Sequence, residues 1–188
     1  MRLILASASP LRLELLARIA VVPHAVTPAE IDETPRRGEL PAPYSHRMAA
    51  EKAAAVSGAG CLVLAADTVV AAGRRILPKT DDEREAEATL RLLSGRRHRV
   101  LSAVTLVAAD GRARHRLSTS VVAFKRLTED EIAAYLASGE WRGKAGAYAI
   151  QGRAEALVRF LSGSHSGVMG LPLYETRALL IAAGYPLG

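Results

Sequence analysis

Three stretches of the chain carry residue types that can do chemistry. Ser7-Ala8-Ser9-Pro10-Leu11-Arg12 places two hydroxyls, a helix-opening proline and an arginine in one short segment. A serine before a proline suits the N-cap and first position of a helix. The free N–H groups and dipole of a helix start attract an anion. A cation such as Arg12 is disfavoured in that first turn, unless a phosphate lies between it and the dipole. The plainer alternative is a simple N-cap followed by a solvated arginine. Lys52 is the second feature. In a helix, Tyr44, Met48, Lys52 and Val56 share one stripe, so an ammonium interrupts an apolar face. Such a lysine needs a carboxylate or a ligand phosphate beside it. Otherwise it snorkels from the edge of the face, with Glu51 exposed next to it. The third is Asp67-Thr68, which follows the apolar run Cys61–Ala66. A carboxylate at the end of a buried strand can hold a divalent cation or take a proton from an attacking water. An Asx-turn closing the strand is the bland counterpart.

Weaker features stand beside these. Glu30-Ile31-Asp32-Glu33 offers three carboxylates to a hard cation, or forms a solvated acidic loop. Lys79 can reach a phosphate or remain merely exposed. The segment from Gly143 to Gly152 has glycines that let backbone approach a ligand, and its Gln151 offers both a donor and an acceptor. It fits neither a dinucleotide fingerprint nor a P-loop. Gly163-Ser164-His165-Ser166-Gly167 has histidine, not serine, at its centre and is no nucleophile elbow. The histidines at 24, 46, 98, 115 and 165 show no metal-ligand spacing. Cys61, inside an apolar run, reads as core.

These residues must be positioned by an α/β arrangement. Arg2–Ala6 reads as a strand, Pro10 to Ile19 as a helix, and Val21–Val26 as a second strand. The stretch 27–43 is polar and rich in acids and proline, hence a loop. Tyr44–Ser57 reads as a helix stopped at Gly58. Cys61–Ala66 reads as a strand buried on both faces. Val69–Ala72 and Arg75–Leu77 flank Gly73 as a short hairpin. The Thr-x-x-Glu pattern at Thr80 and again at Thr128 predicts two capping boxes, opening helices to Leu93 and Ala137. Asp110-Gly111 joins Arg99–Ala109 to Arg112–Phe124 as a hairpin. Tyr148–Ile150 and Ala156–Leu161 read as strands, and Leu171–Ala183 as a terminal helix. Hairpins together with helical crossovers require a mixed sheet flanked by helices. No linker interrupts the chain, so residues 1–188 are expected to form one domain with two lobes.

Composition narrows the class. With 188 residues, 49% hydrophobic and 23% charged, the chain is globular in type. Its apolar runs fall short of the roughly 20 residues of a membrane span, and the first residues are too short an apolar stretch for a secretory signal. A lone cysteine excludes a disulfide framework and cysteine-rich zinc sites. A cytoplasmic location is expected. A formal charge of +6 suits anionic partners. Aromatics at 4% supply a poor stacking platform, so a stable nucleic-acid complex is not expected.

In order along nearly the whole chain, LASASPLR (5–12), EIDETPR (30–36), AEKA (50–53), AADTVV (65–70), Lys79, LSGRRHRV (93–100), KAGAYAIQG (144–152) and VMGLPLYET (168–176) resemble the Maf family of nucleoside triphosphate pyrophosphatases. The resemblance implies an elongated α/β fold with a central cleft between lobes, similar to inosine triphosphatases. It also implies a divalent metal (Mg²⁺ or Mn²⁺), release of pyrophosphate with a nucleoside monophosphate left behind, and a homodimer. It places Ser7, Ser9 and Arg12 at the phosphates. Glu33, Lys52, Asp67 and Lys79 form the catalytic group, with Glu33 and Asp67 on the metal and Asp67 as proton acceptor. Thr68 and Gln151 resemble the branch acting on dTTP and UTP. Leu11 departs from the family's usual Ser-Pro-Arg-Arg, and from the Ser-Pro-Trp-Arg of the 7-methyl-GTP branch. It bears on substrate choice, while Arg12 remains. The position after Lys79 is threonine where proline is common. The alternatives are a pyrophosphatase for 7-methyl-GTP or another modified nucleotide and, in a different class, a basic protein that holds nucleic acid or a partner without chemistry.

Overall fold

The computed structural model describes residues 1–56 and 60–187. Strand β1 (Arg2–Ala6) runs into helix α1 (Pro10–Ala17), and the chain returns as β2 (Ala25–Val26). Helix α2 (Pro41–Val56) precedes the long strand β3 (Cys61–Ala72), which turns at Gly73 into β4 (Arg75–Leu77). After β5 (Lys79–Thr80) and α3 (Glu83–Leu93) comes a hairpin of β6 (Arg97–Val107) and β7 (Ala113–Phe124). Then follow α4 (Glu129–Ser138), β8 (Lys144–Ala145), a 3₁₀ turn (Arg153–Leu157), β9 (Val158–Ser162), α5 (His165–Met169) and α6 (Leu173–Ala182).

Among the described residues, seven strands make one mixed sheet in the order β2-β1-β3-β6-β7-β9, with β4 beside β3. β1 pairs in parallel with β2 and β3, and the remaining pairs are antiparallel. A separate ribbon joins β5 to β8. Alternation along β3 divides the core between the two faces of the sheet. Leu62, Leu64, Ala66 and Val70 enter the main core with Leu15 and Leu16 of α1. Val63 and Ala65 pack with Ala53, and Val69 with Tyr44 and Met48, all three from α2.

Several elements depart from the sequence-based expectations. Cys61–Ala66 and Val69–Ala72 are one strand, so Asp67 and Thr68 lie in its middle instead of at its end. The register explains how they still border a site. β1 stops at Ala6, opposite Ala65, and β3 runs on past it. Cys61 opens that strand and is only half-buried. Helix α2 begins at Pro41, because its prolines occupy a first turn that needs no N–H partners; the expected stop at Ser57–Gly58 falls outside the described residues. Only Ala25–Val26 of the expected second strand pairs. The cap of α3 is Asp82, whose side chain accepts from Glu85 N–H, so Thr80 is free to join β5. The box at Thr128 forms as expected. Tyr148–Ile150 is not a strand. Gly146 and Ala147 both take positive φ and turn the chain there, and the pairing falls to Lys144–Ala145 instead. The expected strand from Ala156 begins as a 3₁₀ turn and pairs only from Val158. The expected last helix forms as α6, from Leu173 after Pro172, and a short helix not expected from the sequence, α5, precedes it and ends at Gly170 (φ +133°).

Candidate active site

The site surrounds the open end of β1. Past Ala6 the chain enters α1 with Ser9 at the N-cap position, but the Ser9 hydroxyl makes no capping bond. Instead Ser9 N–H donates to Ser7 Oγ at 3.1 Å, which folds the Ser7–Ser9 turn back on itself. Arg12, one turn into the helix, is held on two sides. Its Nη1 donates to Ser7 Oγ (3.1 Å) and its Nε to the carbonyl of Gly170 (2.9 Å). Guanidinium has five N–H donors, so most of the fork stays available to a ligand. Enclosure pulls the Arg12 guanidinium below its ordinary value, opposed by the charges of Asp67 and Glu33.

Lys52 comes from α2 and is 6% exposed; Asp67 on β3 is 5% exposed. Lys52 Nζ lies 2.7 Å from Asp67 Oδ1 and 2.9 Å from Glu33 Oε1. The apolar stripe expected for this helix is real: Tyr44 and Met48 are buried on it, and the lysine in line with them finds carboxylates in place of water. Tyr44 also fixes the acidic loop, donating from its hydroxyl to the Glu33 carbonyl at 2.7 Å. Burial, with the charges of Asp67 and Glu33, pushes the Tyr44 hydroxyl up to about 12, so it remains a donor. Partial burial by itself would raise the Glu33 carboxyl. The hydrogen bond and charge of Lys52, helped by Lys79 and Arg12, outweigh it and hold the carboxyl below its usual value.

These groups meet at one hollow. A cleft of about 340 Å³, within the range of small-molecule sites, is lined by Ser7, Ser9, Leu11 and Arg12 on one side and by Glu33, Lys52 and Lys79 on the other. Thr68 and Gln151 line it as well. Asp67 opens onto an adjoining hollow of about 220 Å³ that shares Glu33, Thr68 and Lys79 with the cleft. The expected residues are therefore brought together across the end of the sheet. Asp67 and Thr68, neighbours on β3, project to opposite faces. Asp67 turns towards α2, and Thr68 towards Ser102 of β6. Lys79 is exposed and makes no ion pair among the described residues.

The acidic loop does not act as a unit. Only Glu33 reaches the site, while Asp32 accepts from Thr34 N–H at 2.9 Å. Among the described residues no three of His, Cys, Asp and Glu are grouped to hold a metal unaided. Two carboxylates do converge, each with one oxygen held by Lys52. Two features of the site were not legible beforehand. One is the Gly170 carbonyl, a backbone atom that no side-chain pattern announces. The other is buried Ser102, which reads from sequence as an ordinary polar position in a strand.

No helix among the described residues is long and apolar enough to cross a membrane. The chain is 63% identical to a dTTP/UTP pyrophosphatase of Zymomonas mobilis, over 98% of this chain and 93% of that one. It is 60% identical to a dTTP/UTP pyrophosphatase of Rhodospirillum rubrum, over 99% and 90% respectively. A solved HAM1 protein from Coxiella burnetii shares the fold, with a TM-score of 0.54 over 97% of this chain and 100% of that one at 15% identity. Residues 2–183 match the Maf-like protein family, and the chain belongs to it.

Proposed function

We propose that this chain is a nucleoside triphosphate pyrophosphatase acting on dTTP and UTP, which releases pyrophosphate and leaves the monophosphate. The observation that carries the reading is the Lys52 ammonium held between Glu33 and Asp67 at the edge of a cleft that also contains the Arg12 fork. The names of the close relatives support the same substrate class.

A nucleoside triphosphate is a polyanion, and cleavage between its α- and β-phosphates adds charge to the departing pyrophosphate. Arg12, Lys52, Lys79 and the N-terminus of α1 supply fixed positive charge and donors to meet it. Ser7 and Ser9 line the phosphate side. Asp67 takes a proton from the water that attacks the α-phosphorus, and the bond from that phosphorus to the bridging oxygen breaks. Lys52 favours the ionised form of Glu33 and aims both carboxylates. Leu11 and Gln151 border the cleft and contribute to substrate choice.

A divalent cation, Mg²⁺ or Mn²⁺, fits this donor set. Mg²⁺ characteristically takes one or two carboxylates and completes its shell with phosphate oxygens and water. Glu33 and Asp67 would hold it. When bound, it neutralises phosphate charge.

Incubation with dTTP, UTP, CTP, GTP and 7-methyl-GTP in Mg²⁺, followed by pyrophosphate detection, tests the reading. Turnover of dTTP and UTP, abolished by a chelator and restored by Mg²⁺ or Mn²⁺, is expected. Turnover of none would overturn it, and preference for 7-methyl-GTP would overturn the assignment of substrate. We further propose that the enzyme is a cytoplasmic homodimer, as the family resemblance implies; sedimentation at the mass of one chain would contradict the dimer.

A further inference from the structure

We infer that Ser102 is a positioning residue, which fixes the polarity of the Thr68 hydroxyl and anchors the backbone that holds Arg12. The inference rests on the proposed triphosphate reading and deepens it.

Ser102 is buried on β6, directly opposite Thr68 of β3 in the register. Its Oγ lies 2.6 Å from the carbonyl oxygen of Gly167 and 2.8 Å from Thr68 Oγ1. A carbonyl only accepts, and a hydroxyl has one proton. The Ser102 proton is therefore committed to Gly167, and Thr68 must donate its own proton to Ser102. Thr68 lines the cleft with its proton already spent. What it offers a ligand is lone pairs alone.

The same serine reaches the phosphate side. The Gly167 carbonyl also accepts from Gly170 N–H at 3.1 Å, and the Gly170 carbonyl accepts from Arg12 Nε at 2.9 Å. Gly167 N–H is in turn tied to Ser164 Oγ at 2.9 Å. One buried hydroxyl thus links the Thr68 wall of the cleft to the guanidinium that meets phosphate.

An acceptor-only Thr68 selects a ligand edge that presents a donor. Uracil and thymine carry N–H at ring position 3. Cytosine carries a bare acceptor there, and two facing acceptors lose the bond and repel. Set against ring position 3, where cytosine lacks a proton although its 4-amino group has two, an acceptor-only Thr68 favours uracil and thymine nucleotides over cytosine.

The test compares kcat/KM for UTP and CTP in the wild type, Ser102→Ala, Ser102→Thr, Thr68→Val and the Ser102→Ala/Thr68→Val double variant, each first checked for folding by thermal melting. Ser102→Ala frees the Thr68 proton. The UTP:CTP ratio is expected to fall on the order of fivefold, the worth of one hydrogen bond, and KM for both nucleotides to rise as Arg12 loosens. Ser102→Thr keeps the hydroxyl and should keep the ratio even where the extra methyl lowers stability. In the Thr68→Val background, Ser102→Ala should leave the ratio where Thr68→Val put it. A wild type that hydrolyses UTP and CTP equally, or a Ser102→Ala variant that loses rate on both while keeping the ratio, would overturn the inference and leave the pyrophosphatase reading standing. No turnover of any nucleotide by the wild type would remove that reading and this inference with it.

Discussion

Lys52 and Asp67 form a buried ion pair at 2.7 Å between a helix and the strand beneath it, with Glu33 closing on the same ammonium from a loop. A pair like this is worth little as net stabilisation, because both charges have left water. Its removal by halves is costly, because one charge stays behind unpaired. The arrangement orients two carboxylates beside a polyanion site.

Asp67→Asn preserves shape and leaves Lys52 with Glu33. The variant should melt close to the wild type and lose at least about a hundredfold in kcat, the low end for a proton-transfer group. Lys52→Met instead leaves Asp67 as a buried lone carboxylate, and should lower unfolding free energy by about 3 kcal/mol. Urea titration separates the two outcomes. A wild-type kcat in folded Asp67→Asn would remove the role assigned to Asp67.

Arg12→Lys keeps the charge but cannot hold Ser7 Oγ and the Gly170 carbonyl together while presenting a planar fork to phosphate. KM for the triphosphate should rise by roughly tenfold or more, the loss of one charge-assisted bond. Steady-state kinetics on UTP measures it.

His98 bears on stability in acid. Its Nε2 lies 2.9 Å from the Tyr148 hydroxyl, its Nδ1 is buried without a hydrogen-bond partner among the described residues, and burial pushes the imidazole down to about 4. In the unfolded chain it titrates near 6.5. Between those values the unfolded state binds a proton that the native state refuses. Stability must therefore fall as pH drops from about 6.5 to about 4, and this contribution levels off below. The integrated loss is on the order of 3 kcal/mol. NMR titration should find the His98 ring still neutral at pH 5. Titration at its ordinary pH would show that the ring is not enclosed as described.

Gly146 is fixed by both conformation and space. It has φ +69°, and a Cβ added there would lie 2.7 Å from Val70 Cγ1. Gly146→Ala should cost about 2 kcal/mol or more. Val70→Ala in the same chain should return only part of that, since it relieves the contact and not the dihedral. Thermal melting of the two variants and their combination reads this directly.

What the sequence made legible was whatever follows a local period or cap. Lys52 stood out because it breaks the Tyr44–Met48 stripe, and Thr128 because its box is complete within four residues. What it hid was decided between elements. Asp67 reads as a strand end because a carboxylate interrupts an apolar run; the strand continues because Lys52, fifteen residues earlier, meets that carboxylate. Thr80 reads as a cap, yet Asp82 lies nearer the helix and takes the bond to Glu85 N–H. Tyr148–Ile150 has strand-forming types, but the positive φ of Gly146 and Ala147 turns the chain just before it.

The clasp on Arg12 spans 158 positions of the chain, from the first helix to the carbonyl of Gly170. During synthesis the opening segment leaves the ribosome long before its counterpart does. A growing polypeptide that has not yet reached Gly170 therefore carries Arg12 without this clasp, and the phosphate side of the cleft is completed only after that residue has emerged.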